Sequence, residues 1–170
     1  MAVDNKGMIA IDFEGVFKGQ NGLWLPKEVG LYCPRMGLRK HVVFDKESWF
    51  AYGSSDNMHK WISPYKKWHD VSFKFRDHSY LEQIRNLIIA SQATLVYDTA
   101  LDLQVLQSIN AAEKVIDVCR LVDEKLGQKV TLHVALLAFG VKHERRSLHN
   151  PFADAMYTYR LWEKLANTEK

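Results

Sequence analysis

The stretch Met8-Ile9-Ala10-Ile11-Asp12-Phe13-Glu14-Gly15 constrains this chain more than any other. An apolar run of this length, closed by a glycine, reads as a buried strand. Successive strand side chains alternate between faces, so Asp12 and Glu14 share one face and Phe13 points to the other. Two carboxylates at the end of a buried strand need their charge compensated, and a divalent cation is the usual partner of hard carboxylate oxygens. The competing reading is a strand that has simply reached the surface, since Asp-x-Glu is a common tripeptide.

The bulk numbers limit the alternatives. With 170 residues, 47% of them hydrophobic, the chain is expected to form one compact domain, 1–170, with a sizeable core. No basic segment followed by a long apolar stretch opens the sequence, and no run approaches membrane-spanning length, so neither a signal peptide nor a transmembrane helix is expected. Cys33 and Cys119 stand far apart and suit a reducing intracellular compartment, cytoplasmic or nuclear, better than a disulfide scaffold. A formal net charge of +3 allows a polyanionic partner without demanding one.

Along the chain, Gly15 to Gly22 reads as a turn, with Asn21-Gly22 a hairpin signal. Leu23 to Leu25 and Glu28 to Cys33 read as extended, bent at Pro26, and Arg39 to Asp45 as a third strand of an antiparallel meander. Ser48 to Asp77 shows no sustained period and is expected to be long loops with one short element. From there the pattern alternates. The spacing predicts a helix over Ser79–Ser91 capped by Ser79, a strand over Thr94–Tyr97, and a helix over Thr99–Asn110 with Leu103, Leu106 and Ile109 inward. A strand over Lys114–Val118 follows, then a helix through Leu126 stopped by Gly127, a helix over Thr131–Phe139 and a last helix from Pro151 to about Leu165. This order predicts an α/β fold: a mixed central sheet, opened by three antiparallel strands, with helices packed on it.

Two further acidic stretches stand out. In His149-Asn150-Pro151-Phe152-Ala153-Asp154, proline suits the first helical position and asparagine the cap before it. His149 and Asp154 then occupy the two positions whose side chains meet across the start of a helix. Ordinary helix chemistry also accounts for Asp154, an acid in the first turn, but gives no reason for the histidine. In Leu95 to Asp102 a buried strand leads into a helix, and Asp98 and Asp102 both fall where they could look toward the strand end. Capping and dipole effects would explain both.

Together, Asp12-Phe13-Glu14, then Asp102 after a strand, then His149 with Asp154 resemble the DEDDh family of 3′-5′ exonucleases, of the RNase H-like superfamily, which includes proofreading subunits and oligoribonuclease-like enzymes. The resemblance runs nearly end to end, with Glu28-Val29-Gly30 similar to the family's second strand and Val115-Ile116-Asp117 to a later one. It implies a three-layer RNase H-like fold with helices on both faces of the sheet. It also implies two Mg²⁺ or Mn²⁺ ions held by Asp12, Glu14, Asp102 and Asp154, with His149 as general base, releasing nucleoside 5′-monophosphates from the 3′ end of RNA or DNA. In that scheme Asp12 bridges the ions, Glu14 and Asp154 complete the nucleophile side, and Asp102 supports the leaving-group side. The chain departs from the family at Gly15, where threonine is common, and at Tyr97-Asp98, which replaces His-Asn. Asp98 therefore competes with Asp102, which is preferred because Leu101 then takes the apolar position before the acid.

Substrate contacts are expected from the turn after Glu14, where Gly15, Phe17, Leu23 and Trp24 could meet a terminal base, and from Arg145 and Arg146 in the basic run Lys142–Arg146. Core packing is the competing reading for the tryptophans. Zinc held by Cys33, His41, His59 and His69 lacks a ligand spacing to support it. The expected partner is a nucleic acid with a 3′ end and no membrane, the protein acting alone, as a homodimer, or in a replication or RNA-processing assembly. A catalytically idle binding or scaffold domain is the alternative, although no carboxylate of the pattern is missing.

Overall fold

The computed structural model describes residues 7–45, 73–97, 99–145 and 149–168. Six strands form one mixed sheet: β1 (Met8–Glu14), β4 (Glu28–Cys33), β5 (Leu38–Phe44), β6 (Phe73–Arg76), β7 (Ala93–Val96) and β8 (Val115–Asp117), in the spatial order β6-β5-β4-β1-β7-β8. β2 (Phe17–Lys18) and β3 (Trp24–Leu25) make a separate two-stranded hairpin, so the Leu23–Leu25 stretch leaves the main sheet. The turn between them is tied by Asn21, whose side-chain oxygen accepts from the Leu23 N–H at 3.1 Å.

The expected antiparallel opening is present. β1 pairs antiparallel with β4, and β4 with β5, while β7 and β8 run parallel to β1 on its other side. β1 is therefore the strand at which an antiparallel wing meets a parallel one. Crevices at the carboxyl ends of strands beside such a reversal are where open α/β sheets bind ligands.

Alternation along β1 divides the interior into two layers. Ile9, Ile11 and Phe13 pack with Val29, Leu31 and Phe44 against α1 (Leu81–Ala90) and α2 (Thr99–Ser108). Met8 and Ala10 face the opposite way, toward α3 (Val118–Leu126), α4 (Leu132–Ala138) and α5 (Pro151–Asn167). Helices on both faces of one sheet give the three-layer arrangement. Asp12 and Glu14 continue the Met8–Ala10 row and so look toward α5, the helix that lies across β4, β1 and β7.

Local signals explain most boundaries. Gly127 ends α3 at φ 72°, a left-handed turn that a side chain resists, and Thr131 caps α4 by accepting from the Val134 N–H at 3.4 Å. Asn150 caps α5 through the Ala153 N–H at 3.1 Å, with Pro151 in its first turn as expected. The cap before α1 differs from expectation. A 3-10 turn over His78–Tyr80 precedes the helix, and its cap is Asp77, whose Oδ1 accepts from the Ser79 N–H at 2.8 Å and from its hydroxyl. A carboxylate with two acceptor oxygens outcompetes the neighbouring serine. α2 also stops earlier than its apolar spacing suggests, at Ser108, because the chain turns to a positive φ of 53° at Asn110. The stretch expected to be mostly loops contributes β6, parallel to β5 at the sheet edge, while residues 46–72, with Trp49, Trp61 and Trp68, lie outside the described ones.

Candidate metal centre

Three separate segments bring acids to the carboxyl end of β1. Asp12 and Glu14 come from β1 itself, Asp102 from the first turn of α2 after β7, and Asp154 from the first turn of α5. Burial raises the Asp12 carboxyl well above the usual range, and the Asp102, Asp154, Glu14 and Glu28 carboxylates around it push further the same way. Side-chain oxygens of Glu14 and Asp154 and a ring nitrogen of His149 all lie within 4.8 Å of one another.

The close approach of α5 depends on Gly30. It stands opposite Asp12 in the β1–β4 register, and a Cβ there would lie 2.0 Å from the Pro151 carbonyl oxygen and 2.2 Å from the Phe152 nitrogen. No side chain fits between backbone and backbone at that distance. Gly30 therefore lets the first turn of α5 rest on the sheet, which carries Asp154 over the acids of β1.

Asp102 is buried at 5% exposure, and its Oδ1 accepts from the Phe13 N–H at 3.2 Å. The β1–β7 pairing ends at Ala10 opposite Leu95, so β1 runs on past its neighbour. A buried N–H beyond that point needs an acceptor, and Asp102 supplies it. Asp98, the other acid expected to compete for this place, lies outside the described residues.

His149 meets Asp154 through its backbone. Its N–H donates to Asp154 Oδ2 at 3.0 Å, and the residue holds a φ of 70°. A non-glycine residue in the left-handed region carries backbone strain. The imidazole is thus carried on a strained turn beside the acids, exposed to solvent.

Two carboxylate oxygens test whether a cation fits. Asp12 Oδ2 and Asp154 Oδ1 are buried and have no hydrogen-bond partner among the described residues. Burial is also the main cause that pushes both Glu14 and Asp154 up to about 7, with Glu28 adding to the Glu14 shift. At Asp154 the His149 N–H opposes the shift and Glu14 adds to it. Buried anionic oxygens with neither a proton donor nor a counter-ion are costly, and hard oxygen donors converging in this way suit a divalent cation.

A fifth acid, Glu28, escaped the reading of the sequence. It faces Glu14 across β1–β4 and its Oε2 lies 2.8 Å from His41 Nε2, both residues buried. Its one advance signal was spacing: two residues before Gly30, it shares the face to which Asp12 and Glu14 point. His41 is thereby tied to Glu28; of the other residues considered for zinc, Cys33 is buried in the core, and His59 and His69 lie outside the described residues.

The residues expected to touch a terminal base separate. Phe17 is a core residue, 4% exposed, its ring edge-on to His78 at 6.0 Å. Trp24 is half-buried against the same core, its backbone N–H donating to the Ser108 hydroxyl at 2.8 Å. Leu23 is exposed. Gly15 holds a φ of 63°, and a Cβ there would come within 2.9 Å of the buried Lys27 stem. A side chain at this position would be both strained and crowded. Arg145 lines a cleft of about 370 Å³ with Thr131, Leu132, His133, His149 and Asp154, and Arg146 lies outside the described residues.

Comparison with solved structures gives a likeness of fold. The chain is similar to the structure of the Neurospora crassa Pan2 catalytic unit (protease and nuclease domain), with a TM-score of 0.68 at 16% identity. That likeness covers 96% of this chain and 27% of the other. The mixed sheet between two helical layers is an RNase H-like fold. No protein-family model matches the sequence, and no curated protein matches it. Among the described residues, no helix is long and apolar enough to cross a membrane.

Proposed function

We propose that this chain is a metal-dependent 3′-5′ exonuclease of the DEDDh type, hydrolysing phosphodiester bonds of RNA or DNA to nucleoside 5′-monophosphates. The observation that carries the reading is the meeting of Asp12, Glu14, Asp102 and Asp154 from three segments at one strand end, with two buried oxygens lacking a partner among the described residues and His149 alongside. The likeness to a structure containing a nuclease domain supports it at the level of fold. The direction of cleavage rests on the resemblance of the sequence motifs to those of the DEDDh exonucleases.

In this reading the four acids would hold two Mg²⁺ or Mn²⁺ ions. Bound there, such ions acidify water and neutralise charge on the attacking and leaving oxygens. The protein's own groups do the rest. His149 takes the proton from the attacking water, a task suited to an exposed imidazole next to the carboxylates. Asp154 orients that histidine by accepting from its N–H. Asp102 fixes the end of β1, and with it the positions of Asp12 and Glu14. Arg145, on the cleft wall, is placed to meet a phosphate oxygen.

The test is a 5′-labelled single strand incubated with Mn²⁺, with and without chelator. Stepwise shortening from the 3′ end that stops with chelator is expected, and Asp12→Ala and His149→Ala should each abolish it while leaving the fold intact. Binding without shortening would instead favour an idle nucleic-acid-binding domain. An active Asp12→Ala protein would sink the proposal.

A further inference from the structure

Next to the carboxylate cleft lies a second hollow, of about 260 Å³, whose walls include Arg39, Lys142, His143, Glu144, Tyr157 and Arg160. Its basic members come from three places: Arg39 from β5, Lys142 from the loop after α4, and Arg160 from α5. All three are exposed at the surface, and one acid, Glu144, offsets part of their charge. Arg39 is held in place by its stacking over the Phe152 ring, at 5.8 Å from the centroid.

One hydrogen bond joins the two hollows. His133 lines the cleft with His149 and Asp154, His143 lines the basic hollow, and His133 Nδ1 lies 2.7 Å from His143 Nε2. His143 Nδ1 is 3.0 Å from the Val141 carbonyl oxygen, which can only accept, so that nitrogen carries a hydrogen. With both rings neutral, His133 donates to His143, and the loop is pinned to α4. The Glu144 N–H donates to the Tyr157 hydroxyl at 2.9 Å and pins the same loop to α5. Held at both points, the loop places Lys142 in the basic hollow and Arg145 in the carboxylate cleft. Cationic side chains thus line both sides of the His133–His143 wall.

Helix α5 sets the separation. Asp154 belongs to the carboxylate site and Arg160 to the basic hollow, and six residues of helix advance about 9 Å at 1.5 Å each. That distance spans only one or two nucleotides of a strand.

We propose that this hollow binds the backbone phosphates of a single nucleic-acid strand immediately upstream of the scissile bond, with Lys142, Arg160 and Arg39 as the phosphate contacts. The inference deepens the exonuclease reading and rests on it for the polarity of the strand, with the 3′ end at the carboxylates. The binding it describes needs no cleavage.

The test measures binding of a 5′-fluorescein hexathymidylate by anisotropy, in chelator, across a series of salt concentrations. Wild type is compared with the double variant Lys142→Glu/Arg160→Glu. Lys114→Glu is the control, an exposed lysine before β8 at the opposite ends of the strands. The double variant is expected to bind at least roughly 10-fold more weakly, with the slope of log affinity against log salt shallower by about 1.4, two contacts at about 0.7 each. Lys114→Glu is expected to bind as wild type does. Unchanged binding by the double variant, equal weakening by the control, or no binding by wild type would each overturn the assignment. Binding that follows the expected pattern, without cleavage in Mn²⁺, would keep the subsite and remove the exonuclease reading.

Discussion

At Asp102 a single carboxylate meets two demands, accepting from the Phe13 N–H at 3.2 Å and adding negative charge beside Asp12. Two substitutions separate them. Asp102→Asn keeps an oxygen acceptor for Phe13 and removes the charge, so folding stability should stay near wild type while divalent-metal binding falls. Asp102→Ala leaves a buried N–H unpaired and should cost about 1–3 kcal/mol as well. Chemical denaturation of both variants, with a metal titration followed by thermal shift, distinguishes the roles. Equal stability of the two would show that Phe13 does not depend on this acceptor. His149 carries a different burden, since its φ of 70° places strain at the residue proposed to move the proton.

At the scale of elements, the site depends on how closely α5 lies on β4. Gly30 is the point of contact, and Pro151 and Phe152 leave no room there for a side chain. Gly30→Ala forces the helix start away from the sheet and carries Asp154 with it. Overpacking of this kind costs about 3 kcal/mol when backbone has to move, which for a chain of this size lowers Tm by roughly 6–12 °C. The stabilisation by divalent metal should weaken together with Tm. A Gly30→Ala protein with wild-type Tm and metal response would contradict the close approach of helix and strand. The hairpin β2–β3 acts on the same side of the structure. It buries Phe17 and tethers Trp24 to α2 through Ser108, so the turn after Glu14 is anchored to the core.

For the whole molecule, the clustered acids make metal-free stability depend on pH. Glu14 and Asp154 titrate near 7 in the fold, far above an unfolded carboxylate near 4, chiefly because of burial. Between those values the folded chain holds more protons than the unfolded one, so stability falls as pH rises from about 5 to about 7.5. A bound dication favours the deprotonated acids and should reverse this loss. Thermal unfolding in chelator is expected to show a lower Tm at pH 7.5 than at pH 5.5. Mg²⁺ or Mn²⁺ at about 100 times its dissociation constant should add about 2.7 kcal/mol at pH 7.5, roughly 5–10 °C, and much less at pH 5.5. A metal response that did not grow with pH would argue against these carboxylates as its origin.

The sequence by itself determined what depends on neighbours along the chain. Alternation placed Asp12 and Glu14 on one face of β1, the proline and asparagine before α5 set its start, and Gly127 and Gly140 marked where helices stop. The order of strands and helices was sufficient to anticipate a mixed sheet with an antiparallel opening. Three-dimensional packing decided what depends on residues far apart in sequence. The Phe13 bond to Asp102 spans 89 positions, Gly30 meets Pro151, Glu28 pairs with His41, and His143 joins a basic hollow to the carboxylate cleft. None of these has a local period to reveal it, because each arises where two elements are pressed together. The same physics buries Phe17: whether an aromatic ring faces solvent or the core depends on what covers it, and here His78, more than sixty residues further along the chain, does so.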